Sequence, residues 1–340
     1  MAEKEQLYAE HWGREGFYGD GVNVTRLQHV PDFTHVSGLH APHRLNIADV
    51  LLPDRGDAAA LPTAIFISRS GAQLSVSGRR QNMPFVVSNV EADEIHFIQQ
   101  GELCFATAYG RIAALPGDFV FIPRAVPYQV EVAAIPTLSL IAEIPGAVKF
   151  DAAPKFEAQL GVPEIAVVTP EPVETTVLIK SFDGITRYVK PYSPLAMVAL
   201  SGGSNPVWKI SLKDIPPNPA GHPTQFAASP DNDELFYTLS ARPRRRPPMH
   251  YNADYDELIF YFAGPGAWGA VKEPGTLTWV PKGLAHHGPS EDVPEGYLAW
   301  MLESRPTMRL TDAGMKVAQL METDLYGPHP AQASVRRIGF

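Results

Sequence analysis

The chain has 340 residues, 45% of them hydrophobic, which exceeds the usual one-domain range and suffices for two cores or one duplicated module. Its net charge of −9, from 28 basic and 37 acidic side chains, is spread thinly and argues against nucleic acid or an anionic membrane as the main partner. A single cysteine, Cys104, excludes an internal disulfide framework. No apolar run nears the roughly 18 residues of a membrane span, and Met1-Ala2-Glu3-Lys4-Glu5 is no signal peptide, so a cytoplasmic protein is expected.

With 33 prolines and 27 glycines, the chain predicts many short strands joined by tight turns. Residues 1–45 are rich in aromatics and histidine but lack periodicity, and read as an arm that packs against something else. From Pro62 short β runs follow at Thr63–Ile67, Phe85–Val87, Glu94–Ile98, Cys104–Ala106 and Phe119–Ile122, each bounded by Gly, Pro or Asn-Asp punctuation. Cys104 sits in one of these runs and is expected as a buried core thiol. Residues 151–225 form a Pro-rich connecting segment with further strands, such as Met197–Leu200. Strand patterns return at Glu257–Phe262, Thr276–Val280 and Tyr297–Leu302, and a tail over 307–340 includes one short helix near Leu310–Met321. The basic run at Arg242-Pro243-Arg244-Arg245-Arg246 reads as a solvated or substrate-facing loop.

The two β regions repeat one another. Glu94 precedes Gly101 by the spacing at which Glu257 precedes Gly264, and the segment Pro116-Gly117 to Pro123 matches Pro274-Gly275 to Pro281. An acid-then-Gly segment followed by a Pro-Gly-led strand resembles the two halves of the cupin motif. The expected fold is therefore all-β: a bicupin with an N-terminal cupin over 46–150 and a C-terminal cupin over 226–306.

The C-terminal copy holds a ligand set. His250 and Glu257 lie in its first motif, and His286 and His287 follow Pro281 in its second. Two imidazoles and one carboxylate leave coordination positions open and suit Fe(II), with Mn(II) as the alternative. Adjacent strand residues face opposite ways, so only one of Asp256 and Glu257, and one of His286 and His287, can point at an ion. Glu257 is favoured by its repeated spacing to the glycine; generic cupin spacing points to His286. The N-terminal copy keeps Glu94 but reads Val87-Ser88-Asn89 and Pro127-Tyr128-Gln129 where histidines would stand. With only His96 nearby, it is expected to be structural.

These residues, with Asp32-Phe33-Thr34-His35-Val36-Ser37-Gly38-Leu39-His40, Ser193–Ala199, Pro247-Pro248-Met249-His250-Tyr251-Asn252, His287-Gly288-Pro289 and Ala299-Trp300-Met301-Leu302-Glu303-Ser304, resemble homogentisate 1,2-dioxygenases and the related two-subunit hydroquinone 1,2-dioxygenases. The resemblance implies Fe(II)-dependent cleavage of a para-dihydroxylated aromatic by O₂. It implies His250, Glu257 and His287 as ligands, since Glu257 and His287 keep that family's spacing, and Asn252 as a weaker fourth. It also implies a small partner subunit, with a homo-oligomer as the other possibility.

Three departures stand against a homogentisate substrate and favour a hydroquinone-type ring. Ser201 and Pro281 replace two pocket histidines, and Met249 replaces an aromatic. His286, Tyr251 and Tyr255 are then the candidates for proton transfer. Rival readings are a gentisate- or salicylate-type ring cleaver, against which Glu257 counts, and a metal-binding bicupin without redox chemistry, such as an isomerase or sensor.

Overall fold

A computed structural model describes residues 7–16, 18–28, 33–150, 161, 164, 172–218, 222–243, 248–264, 271–288 and 292–330. Arg244–Arg246 of the basic run lie outside these residues, as do Asp32, Pro247 and Pro289 of the motifs. The described chain is nearly all β, as expected, and forms two compact units, each organised around one large, mainly antiparallel sheet that represents one copy of the expected barrel. One comprises Val50–Pro216 and Ala227–Asp231; the other comprises Met1–Asp49, Pro217–Phe226 and Asn232–Phe340. The five expected parts fall into two units: the connecting segment up to Pro216 goes with the first barrel, and its last residues from Pro217 go with the arm and tail in the second. Among the described residues no helix is long and apolar enough to cross a membrane.

In the first unit, strand Asp93–Thr107 pairs with Tyr128–Ile144, Gly110–Ala114 and Asp118–Ile122. Both faces of Asp93–Ile98 are buried, so the polar–apolar alternation of a half-exposed strand is absent there. Phe85, Ile98, Phe105, Val120 and Val207 meet in its core. The connecting segment supplies hairpin Thr175–Ser181/Gly184–Lys190, which pairs in parallel with Val86–Asn89, and Trp208–Ser211, which pairs with Asp118–Ile122. Met197–Leu200, expected as a strand, is irregular: Met197 is buried, but Val198 and Leu200 are exposed and gain nothing from an extended register. Cys104 is half-buried beside Arg111 rather than in the core, and burial pushes its thiol pKa up.

In the second unit the sheet runs Glu234–Pro243, Asp292–Ser304, Asp256–Ala263, Thr276–Val280, His43–Asn46 and Gln319–Leu320. The arm packs where the sequence alone could not place it. Its hairpin, Tyr8–Glu15 with Tyr18–Arg26, lies in parallel against Met249–Asn252 and sets His11 beside His250 and Gly13 beside Asn252. The tail helix is a single turn, Asp312–Met315, capped by the Thr311 hydroxyl, which accepts from Gly314 N at 3.2 Å. Gly314 disfavours its extension.

The sequence repeat has a backbone cause. Gly101 and Gly264 both have positive φ, +79° and +107°, and a Cβ at either would come within 2.5 Å and 2.1 Å of a carbonyl oxygen across the sheet. Only glycine fits each bend. The repeat extends to register: Glu94 lies between Ile122 and Glu143 on its two neighbouring strands, and Glu257 between Val280 and Glu303.

Candidate metal centre

The centre is built where strand Met249–Asn252 meets the turn after Val280. His250 and His286 form an antiparallel bridge, each backbone N–H donating to the other's carbonyl at 2.8 and 2.9 Å. That bridge sets the two imidazoles side by side, ring centroids 4.2 Å apart. Glu257, near the start of Asp256–Ala263, completes the group. One ligand atom from each of His250, Glu257 and His286 lies within 4.8 Å of the others. All three residues are buried, at 5%, 8% and 1% exposure.

The ring orientations suit a cation. His250 Nδ1 is 3.2 Å from Pro248 O and His286 Nδ1 is 3.0 Å from Leu284 O. A carbonyl can only accept, so Nδ1 carries the hydrogen in each ring and Nε2 is left as the lone-pair donor. His286 Nε2 is buried, 3.6 Å from Glu257 Oε2, and has no hydrogen-bond partner. A buried nitrogen in that state is costly unless something outside the protein meets it. Burial, with His286 alongside, holds His250 well below its ordinary pKa and so keeps it neutral. Burial also lowers that of His286, but the Glu257 carboxylate outweighs it and the net shift is upward. Two imidazole nitrogens and one carboxylate oxygen, buried around an orphaned donor, fit a divalent metal ion.

The other residues expected at the site are placed differently. His287 follows His286 and by alternation faces away: its Nε2 lies 3.8 Å from Asp324 Oδ1, its backbone N–H donates to Thr323 O, and its carbonyl accepts from Tyr326 Oη. The structure therefore groups His286, not the expected His287, with His250 and Glu257. Asp256 turns to the backbone, accepting from Lys282 N at 2.9 Å and Met308 N at 2.6 Å.

Asn252 shares the His250 face, but its oxygen is directed at Tyr255 N, 3.4 Å away, and its Nδ2 donates to Glu303 Oε1 at 3.3 Å. Tyr251 points the other way, toward Glu10 and Arg26. The Tyr255 hydroxyl donates to Asn232 O at 2.7 Å and accepts from Arg305 Nη2 at 2.6 Å. Neither tyrosine is brought to the ligand group.

Sequence reading missed Glu303 as a site residue. It is the direct cross-strand partner of Glu257, and burial, then the Glu257 charge, pushes its pKa up to about 8. A signal existed: Glu143 and Glu303 each follow a run of apolar residues near the end of the last long strand of their copy.

No family model matches the chain. It is 23% identical to the homogentisate 1,2-dioxygenase of Bradyrhizobium diazoefficiens over 277 residues, 69% of this chain and 60% of that protein. It is 28% identical to the homogentisate 1,2-dioxygenase of Rhodopseudomonas palustris over 182 residues, 51% of this chain and 38% of that protein. The chain thus spans less than two thirds of the length of both relatives. Among solved structures, a cupin 2 conserved barrel domain protein from Leptotrichia buccalis matches with a TM-score of 0.43 at 11% identity, over 78% of this chain and 98% of that one. The chain is similar, at low identity, to homogentisate 1,2-dioxygenases.

Proposed function

We propose that this protein is a non-haem Fe(II) ring-cleaving dioxygenase acting on a para-dihydroxylated aromatic, with His250, Glu257 and His286 holding the metal. The observation that carries the reading is the buried, unpartnered His286 Nε2 grouped with His250 and the Glu257 carboxylate. Held there, Fe(II) supplies the Lewis acidity and one-electron chemistry that cleavage of an aromatic ring by O₂ requires.

The protein's own part follows from the residues. The backbone carbonyls of Pro248 and Leu284 fix which imidazole nitrogen faces the metal. Burial of all three ligands excludes water and strengthens their electrostatic grip. Glu303, buried directly across the sheet from Glu257 and accepting from Asn252 Nδ2, sets a second carboxyl next to the ligand group.

Similarity to homogentisate 1,2-dioxygenases supports homogentisate as the substrate, and Ser201 and Pro281, where that family carries histidines, support a hydroquinone lacking the acetate arm. O₂ uptake by anaerobically iron-loaded protein with hydroquinone, homogentisate and gentisate distinguishes them. Retention of iron with no O₂ consumption on any of the three overturns the proposal.

A further inference from the structure

The first barrel keeps a cavity at the place corresponding to the metal centre. Val87 and Tyr128 pair across the barrel as His250 and His286 do, and Glu94 has the register of Glu257. These three positions line a cavity of about 230 Å³. Its floor is polar and closed: Glu94 is 5% exposed and Tyr128 5%. Met83, Val87 and Ile141 make a buried apolar wall, and Lys180 with the partly exposed Ile185 stands at the mouth. A cavity of roughly 150 Å³ admits benzene, so a six-membered ring with a substituent fits this one.

The polar groups define what the ring must carry. Glu94 accepts from Tyr128 Oη at 2.5 Å, from Asn89 Nδ2 at 2.9 Å and from His96 Nε2 at 3.0 Å. Glu143 accepts from Asn89 and Gln73 and is paired with Lys180. An anionic ligand would meet two carboxylates, and an ammonium would have to displace Lys180. A hydroxyl can do both things the pocket offers: accept from a remaining Lys180 proton and donate to a carboxylate or to the phenol oxygen of Tyr128.

We propose that the first barrel, by the cavity lined with Val87, Tyr128, Glu94 and Lys180, is a metal-independent binding site for a small neutral hydroxylated ring compound of phenol size. The proposal does not depend on the reaction assigned to the other barrel.

Met83 in the cavity wall provides a local reporter. With ¹³C-methyl-methionine protein, the Met83 resonance, assigned through Met83→Leu, is followed during titration with phenol, toluene, benzoate and benzylamine. Phenol is expected to shift it saturably. Toluene, which lacks the hydroxyl, and the two charged compounds are expected to bind about tenfold more weakly or worse, the loss for one buried hydrogen bond. Ile185→Trp, at the exposed mouth where folding is little affected, should weaken phenol by a similar factor. The site is refuted by the absence of a saturable Met83 shift with phenol, or by a shift that Ile185→Trp leaves unchanged. Equal binding of toluene, or tighter binding of either charged compound, refutes the assigned ligand class.

Discussion

The two barrels share one frame of buried polar residues but balance it in opposite ways. Asn89, Asp93, Glu94 and Glu143 of the first occupy the register of Asn252, Asp256, Glu257 and Glu303 of the second. Asp93 and Asp256 do the same work: each accepts two backbone N–H groups, Arg124 and Val148 in one case and Lys282 and Met308 in the other. The facing carboxylates diverge. Glu94 receives donors from Tyr128, His96 and Asn89, and Glu143 receives Lys180. Tyr128 remains a donor because burial and the Glu94 charge push its phenol pKa far up. In the second barrel, His250 and His286 replace Val87 and Tyr128, the His286 nitrogen is left unpartnered, and Glu303 is driven toward protonation. Buried carboxylates must have their charge met, either by internal donors or by a cation from outside. The first barrel takes the former route; under the proposed function the second takes the latter.

The sharpest test of this contrast is metal content. Glu257→Ala or His250→Ala should reduce bound metal from stoichiometric to near zero by elemental analysis, whereas Glu94→Ala should leave it unchanged. Metal lost through Glu94→Ala would erase the distinction between the barrels. Next in size is the histidine pair: His286→Ala should abolish retention, whereas His287→Ala should leave metal bound, with affinity reduced by no more than the roughly ten- to hundredfold typical of a residue outside the ligand set. The reverse result would show that the register after Val280 is off by one.

Stability should also part the two. In chelated protein, Glu94→Ala strips the acceptor from three buried donors and should cost ~3–5 kcal/mol in denaturant unfolding. Glu257→Ala should be neutral or stabilising there, because it removes the charge that opposes Glu303. Comparable losses from both would contradict the account.

The smallest expected difference is in pH dependence, again without metal. Burial raises the Glu94 pKa, but hydrogen bonds from His96, Tyr128 and Asn89 outweigh it and hold the pKa below its ordinary 4.5. Its contribution is therefore present above that pH and lost as pH falls below it. Glu303 is raised from 4.5 to about 8, so its contribution is present below 4.5 and lost as pH rises through about 8. Melting temperature against pH should lose its acid-side fall in Glu94→Gln and its fall between about pH 5 and about pH 8 in Glu303→Gln. An unchanged slope in Glu303→Gln would show that this carboxyl is ionised at neutral pH.

Much of this was legible in the residues. Strand segments such as Glu94–Ile98 and Thr276–Val280 were readable from apolar runs between Gly and Pro, and the duplication from the acid-to-glycine and Pro-Gly repeats. Those signals are local, and backbone sterics impose them: nothing but glycine fits Gly101 and Gly264. Local spacing also singled out His250 and Glu257 as candidates.

What it could not decide was which way a strand faces once it pairs, and who stands opposite. The choice between His286 and His287 turned on the bridge to His250, a contact between segments more than thirty residues apart in sequence. The pairing of the arm with Met249–Asn252, the answer of Tyr128 and His96 to Glu94, and the elevation of Glu303 by Glu257 likewise arise between distant strands. Side-chain direction alternates with register, and a buried charge is stabilised or opposed by its cross-strand neighbours. Composition and spacing pointed to a doubled β fold with a histidine–carboxylate group in its second copy; register and burial decided which side chains meet there and which barrel balances its own charge.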